Sequence, residues 1–227
     1  MEERNRFSDI QNSKISDTDF EAHIDPFYAE CRAYGRINEF HDGAVPKKYE
    51  KIIRDFSDRT PKRRKREIAA AQCYGYLHLS PEDEECLREK HGVVEWNRQE
   101  NDEGKPIRAL VKQFIESKEP ISKKRRPNIR RMRDDLWTLH GIGVYPRDVC
   151  SRNYRDGLLL DFGQSLTVPH CAIEVLPRWQ VDCEIKDDMV SFDEMIEEQK
   201  KDAYQEEMDL AVLRSTGARP AYATLRK

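Results

Sequence analysis

The stretch Tyr145-Pro146-Arg147-Asp148-Val149-Cys150-Ser151-Arg152-Asn153-Tyr154-Arg155-Asp156-Gly157-Leu158-Leu159-Leu160-Asp161-Phe162-Gly163 decides the reading of this 227-residue chain. Asn153 stands five residues after Asp148, and Asp161 eight residues after Asn153. Asp156-Gly157 lies between two short runs, the second being Leu158-Leu159-Leu160. Asp-Gly in that setting predicts a tight hairpin, because both central positions of its turn need positive φ. Such a hairpin carries Asp148, Asn153 and Asp161 to the mouth of one cleft.

Phosphoryl transfer uses little covalent help. It needs metal ions to neutralise triphosphate charge and a carboxylate to orient the acceptor hydroxyl. The order Arg-Asp, then asparagine, then Asp-Phe-Gly is similar to the signature of protein kinases. In that pattern Asp148 faces the acceptor proton with Arg147 beside it, while Asn153 and Asp161 hold metal. A short apolar strand directly before Asp161 strengthens the match.

Upstream, Asp25-Pro26 reads as a helix N-cap followed by a first-turn proline. Phe27, Cys31, Tyr34 and Ile37 follow at helical spacing, with Glu30 among them, up to Gly43 and Pro46. A carboxylate on such a face is costly unless a cation meets it. Cys73 to Leu79 and Ile107 to Ile115 have strand composition, and residues 80–106 between them read as a charged loop or insertion. Glu116 falls where a kinase hinge would meet adenine. Residues 118–126 form a basic linker, and Ile129, Met132, Leu136 and Leu139 form a helical stripe ending at Gly141. Ser191 with Glu194 reads as a capping box. From Asp182 to Asp209 there are 12 acidic residues against three lysines, so the helix there is expected to be largely solvated.

Asp25 through Arg36, Cys73-Tyr74-Gly75-Tyr76-Leu77, and Tyr145 to Gly163 together resemble a fungal group of kinase-like proteins that includes an inner-kinetochore (centromere-associated) subunit. The resemblance spans about residues 20–180. It implies an α+β chain, a reduced protein-kinase-like fold with an incomplete small lobe and a truncated large lobe. The expected division is a flexible arm at 1–24 and a partial small lobe with charged insertions at 25–117. Residues 118–180 would hold the linker, catalytic-loop helix, loop and hairpin, and 181–227 an acidic helical tail. The resemblance further implies a site for ATP and Mg²⁺, with Asp161, Asn153, Glu30 and Glu116 as cofactor-binding residues, together with kinetochore protein partners and a nuclear location.

Several parts of the kinase pattern are missing. No G-x-G-x-x-G precedes Glu30, and Lys14 is the one lysine ahead of the helix. Pro146 replaces the loop histidine, Arg152 resembles the tyrosine-kinase form of the loop, and no A-P-E follows Gly163. These losses fall on nucleotide clamping and substrate docking. They favour a pseudokinase-type interaction protein over an ATP·Mg²⁺ phosphotransferase. The feature that decides between the two is a cation able to reach Glu30 and the nucleotide phosphates.

Charge and cysteine content narrow the rest. Charged residues make up 37% of the chain and hydrophobic ones 37%, so the core is small for the length. The N-terminal residues lack an apolar secretory core, and no apolar run is long enough to cross a membrane. The six cysteines show no C-x-x-C pair and no zinc spacing, so they read as reduced thiols of a nuclear or cytoplasmic protein, with no structural metal. Basic blocks at 62–66 and 123–133 leave a third reading open, a nucleic-acid adaptor gripping phosphates. His140 and His170 read as structural.

Overall fold

The computed structural model describes residues 16–44, 68, 70–94, 96, 104–116, 129–175 and 177–216. Its organising helix is α2 (Pro26–His41), which begins as its sequence dictates: the Asp25 side chain accepts the Phe27 N–H at 2.9 Å and Pro26 fills the first turn. Ahead of it, α1 (Asp17–Ile24) is helical, where the sequence suggested a loose arm. Arg32 holds it, donating to the carbonyls of Ala22 and His23 at 3.0 and 2.7 Å. Residues 1–15 of the expected arm lie outside the described residues.

α2 is pinned to the rest of the chain by buried polar contacts. Arg36 donates to the carbonyls of Ile142 and Val168, and the Tyr34 hydroxyl donates to that of Leu160. The two Arg36 bonds supply partners to buried backbone acceptors.

The strands β1 (Cys73–Leu79) and β2 (Ile107–Lys112) form an antiparallel pair, with Tyr76 opposite Leu110 and Leu79 opposite Ile107. Between them, inside the segment read as a loop, lies α3 (Pro81–His91), started by a capping box between Ser80 and Asp83. Ser-Pro-Glu-Asp was the available signal. The run of charge concealed it, because α3 buries none of its residues.

α4 (Ile129–Gly141) buries Met132, Leu136 and Leu139 of the expected stripe, while Ile129, in the first turn, is exposed. β3 (Val144–Tyr145) pairs with β6 (Leu166–Thr167), and β4 (Tyr154–Arg155) with β5 (Leu158–Leu159). The last pair is the expected hairpin, and its turn has positive φ at both Asp156 (50°) and Gly157 (79°). A short helix, α5 (Cys171–Val175), leads to α6 (Arg178–Thr216), 39 residues long.

α6 departs most from the sequence reading. It starts at Arg178 and runs through Ser191, so Ser191 and Glu194 are mid-helix and cap nothing. Its first half is not solvated either. Val181, Asp188, Phe192, Met195 and Ile196 are buried. Phe192, Met195 and Ile196 close one hydrophobic core with Tyr34 and Ile37 of α2, the α4 stripe, Tyr154, Leu159 and Phe162. Phe162 is fully buried at its centre and meets Tyr34 edge to face. Beyond Ile196 the described side chains of α6 are exposed, apart from half-buried Gln199. No helix among the described residues is long and apolar enough to cross a membrane.

Candidate functional site

A cleft of about 480 Å³ opens between α2, β2 and the hairpin segment. Pro26, Phe27 and Leu110 give it an apolar side. Glu30, Arg108, Lys112, Asp148 and Asp161 give it charge, and Gly163 and Gln164 complete it. Arg108, Leu110 and Lys112 face it together because alternate residues of a strand share a face.

At its centre Lys112 Nζ meets Glu30 Oε1 at 2.5 Å and donates to the Leu160 carbonyl at 2.9 Å. Glu30 Oε1 also accepts the Phe162 N–H at 3.3 Å. The buried glutamate of α2 therefore has its cation. Burial pushes the Glu30 carboxyl up, Lys112 opposes that push, and the charge of Asp161 adds to it. Sequence reasoning missed Lys112 because it sought a lysine on a strand before the helix. The signal was present in the alternation Arg108-Leu110-Lys112, which puts two cations on one strand face.

Asp161 is exposed to the cleft, and its Oδ1 accepts the Gly163 N–H at 2.8 Å. Space at 163 is tight. A β-carbon there would lie 3.2 Å from Asp161 Oδ1 and 3.4 Å from the Pro26 β-carbon. Asp148 lines the same cleft, but Arg152 grips both of its oxygens at 2.9 and 2.7 Å. Burial would raise the Asp148 carboxyl, yet the Arg152 guanidinium, the Cys150 thiol and Asn153 outweigh it and hold it below its usual range.

The remaining expected site residues stand elsewhere. Asn153 is buried and does not line the cleft; its side-chain amide donates to the Asp148 carbonyl at 2.9 Å, bracing the loop. The guanidinium on the Asp148 carboxylate is that of Arg152, and Arg147 lines a different part of the structure. It borders a separate small hollow with His23, Gln164 and His170. Its backbone, at φ 64°, is fixed by a 2.7 Å donation to Asp188 Oδ1. Glu116 is exposed, past the end of β2, and does not line the cleft. Asp188, unremarked in the sequence, is the buried post behind the loop. Its other oxygen meets His140 Nε2 at 2.9 Å.

The ligand atoms of His23, His170 and Cys171 lie within 4.8 Å of one another. Both ring nitrogens of His170 are already engaged, Nδ1 by the Ala172 N–H and Nε2 by the His23 carbonyl. Burial and the nearby cationic groups of His23 and Arg32 push that imidazole down to about 3. His140 and His170 are both buried in the framework, away from the cleft. All six cysteines are free. Of the basic block at 123–133, residues 129–133 are described: Arg133 pairs with Asp193 and Arg131 with Asp135. The block at 62–66 lies outside the described residues.

The chain is similar to a subunit of a kinetochore complex. Residues 60–166, just under half of the chain, match the family model described as Kinetochore Sim4 complex subunit FTA2. That stretch carries β1 and β2, α4, the Asp148 loop and Asp161. Neither the curated proteins nor the solved structures contain a match to the chain.

Proposed function

We propose that this chain is a protein-kinase-like subunit of a nuclear kinetochore assembly whose cleft binds a Mg²⁺-nucleotide and transfers phosphate slowly or not at all. The observation that carries the nucleotide reading is the Lys112–Glu30 pair beside Asp161 in one cleft. The kinetochore reading is supported by the family match.

The residues present fit such a ligand. Phe27, Leu110 and Pro26 offer an apolar wall, Lys112 and Arg108 offer cations for phosphates, and Asp161 offers an exposed carboxylate for metal. Mg²⁺ bound there neutralises triphosphate charge. Glu30 holds Lys112 in place, and the Leu160 carbonyl fixes its direction. Transfer is disfavoured because Arg152 occupies both oxygens of Asp148, the carboxylate that would orient an acceptor.

The test is thermal shift of the 227-residue chain with ATP, with and without Mg²⁺. Ligand at 100 times its dissociation constant adds about 2.7 kcal/mol. Binding that needs Mg²⁺ and disappears in Asp161→Asn supports the reading; no shift under any condition removes it. The presence of Asp148 in the cleft with Lys112 and Asp161 keeps a second reading in view, an active phosphotransferase. Turnover abolished by Asp148→Asn would establish it. A nucleic-acid adaptor would instead lose DNA affinity steeply with salt.

A further inference from the structure

His23 and His170 are 147 residues apart in sequence, yet their rings meet edge to face with centroids 4.8 Å apart. Cys171 follows His170, and one potential ligand atom from each of the three lies within 4.8 Å of the others. His170 and Cys171 are buried and His23 is half-buried. Two imidazoles and a thiol held together away from solvent are a soft metal-ligating set. Spacing in the sequence does not reveal it, because His23 stands near the end of α1 and the other two at the start of α5.

The His170 ring is oriented for such a role. Its Nδ1 accepts the Ala172 N–H at 3.1 Å, so the neutral ring carries its proton on Nε2, which faces the His23 carbonyl at 3.3 Å. A metal-bound imidazole is held in the same way, with its second N–H on a backbone carbonyl. Nδ1 lies 4.0 Å from Cys171 Sγ, and an ion between them takes the lone pair that the Ala172 N–H now holds. Metal bonds of about 2.0–2.3 Å set ligand atoms roughly 3.3–3.8 Å apart, so the three must draw together by about 1 Å. His23, in the last turn of α1, can supply that movement. His23 and His170 also border a hollow of about 10 Å³, room for one small ion.

Ligand number and charge favour a monovalent ion. Three ligands satisfy Cu(I), whereas structural Zn²⁺ takes four. Arg32 and Arg147 stand near His170, and exposed Glu174 near Cys171. A Cys171 thiolate with two neutral imidazoles carries a single negative charge, which Cu(I) cancels. Zn²⁺ would leave positive charge beside two guanidiniums.

We propose that His23, His170 and Cys171 form a site for a thiophilic d¹⁰ ion, Cu(I) ahead of Zn²⁺, that clasps the end of α1 to the start of α5. The site is separate from the nucleotide cleft, which none of the three residues lines.

The probes are Cu(I), buffered by a chelator under ascorbate, and Zn²⁺ alone. They are titrated into the full chain with the other five cysteines changed to serine. That chain should bind one Cu(I), release about one proton as the thiol ionises, and unfold at higher urea than without the ion. X-ray absorption should show one sulfur and two nitrogen neighbours. Affinity should fall about tenfold or more in His23→Gln and in His170→Asn, which keeps an acceptor for the Ala172 N–H. It should vanish when Cys171 also becomes serine. Should the five-serine chain show no cooperative unfolding, the wild-type chain is titrated instead, and Cys171→Ser should then bind one ion fewer. Tighter Zn²⁺ binding, lost in the same variants, would overturn the choice of ion and assign the site to zinc. Binding of neither ion, or binding indifferent to His23 and His170, would overturn the site itself.

Discussion

The backbone N–H of Arg147 donates to the buried carboxylate of Asp188 at 2.7 Å, across 41 residues of chain. This bond holds a non-glycine residue at φ 64°, a conformation that costs an L-residue roughly 1–2 kcal/mol. The same carboxylate takes His140, so one side chain on α6 supports the end of α4 and the start of the Asp148 loop.

Asp188→Ala should therefore destabilise the fold by about 3–5 kcal/mol, as expected when one member of a buried polar pair is removed. Asp188→Asn keeps an oxygen for the Arg147 N–H and should cost clearly less. Urea unfolding of the two variants checks this. Equal and small losses would mean that Asp188 is not the post described above.

Lys112→Met strips the cation from Glu30, which is buried against Phe162. The Glu30 carboxyl, already raised by burial, should rise further, and stability at neutral pH should fall by about 1–3 kcal/mol. The Mg²⁺-nucleotide thermal shift should vanish. Lys112→Arg should keep the fold and part of the shift. A Lys112→Met protein that binds nucleotide as wild type would show that phosphate is held elsewhere.

His170 supplies an acid-sensitive element. Burial and the cationic groups of His23 and Arg32 place its imidazole at about 3, against 6.5 for an ordinary histidine. Between those values the unfolded chain binds a proton that the folded chain does not. Stability should then rise with pH across that window and fall as pH drops from about 6.5 towards 3, by up to about 1.4 kcal/mol per pH unit. Denaturation midpoints at several pH values, compared with those of His170→Asn, isolate the contribution. Parallel slopes in the two proteins would remove it.

Arg152 lies on the surface, yet it sets the state of Asp148. In Arg152→Ala the Asp148 carboxyl should titrate higher than in the wild type, since the leading opposition to burial is gone. Carboxyl-carbon NMR reads this directly. The thermal midpoint should hardly move. If phosphotransfer is held back by this grip, the variant should also turn over faster than the wild type.

The sequence carried the hairpin, the α2 cap and the α4 stripe, because each is written in local chemistry: Asp-Gly, Asp-Pro and a spacing of three and four. It did not carry the partner of Glu30. Lys112 is 82 residues further on, and the alternation Arg108-Leu110-Lys112 sets two cations on one strand face without saying that this face meets Glu30. Nor did it carry the buried half of α6. Val181, Phe192, Met195 and Ile196 are few and stand among 12 acidic residues between 182 and 209, so a core helix reads as a solvated tail. Asn153 and Arg147 were recognised by spacing, but spacing cannot say which way a side chain leaves the loop.

Asp188 and Val190 are two residues apart on α6, one facing the Asp148 loop and the other facing solvent. One turn of α6 thus joins a solvent-facing side chain to the amide that shapes the loop. The hydrogen-exchange rate of the Arg147 amide therefore reads, from inside the loop, how firmly that turn of α6 is held.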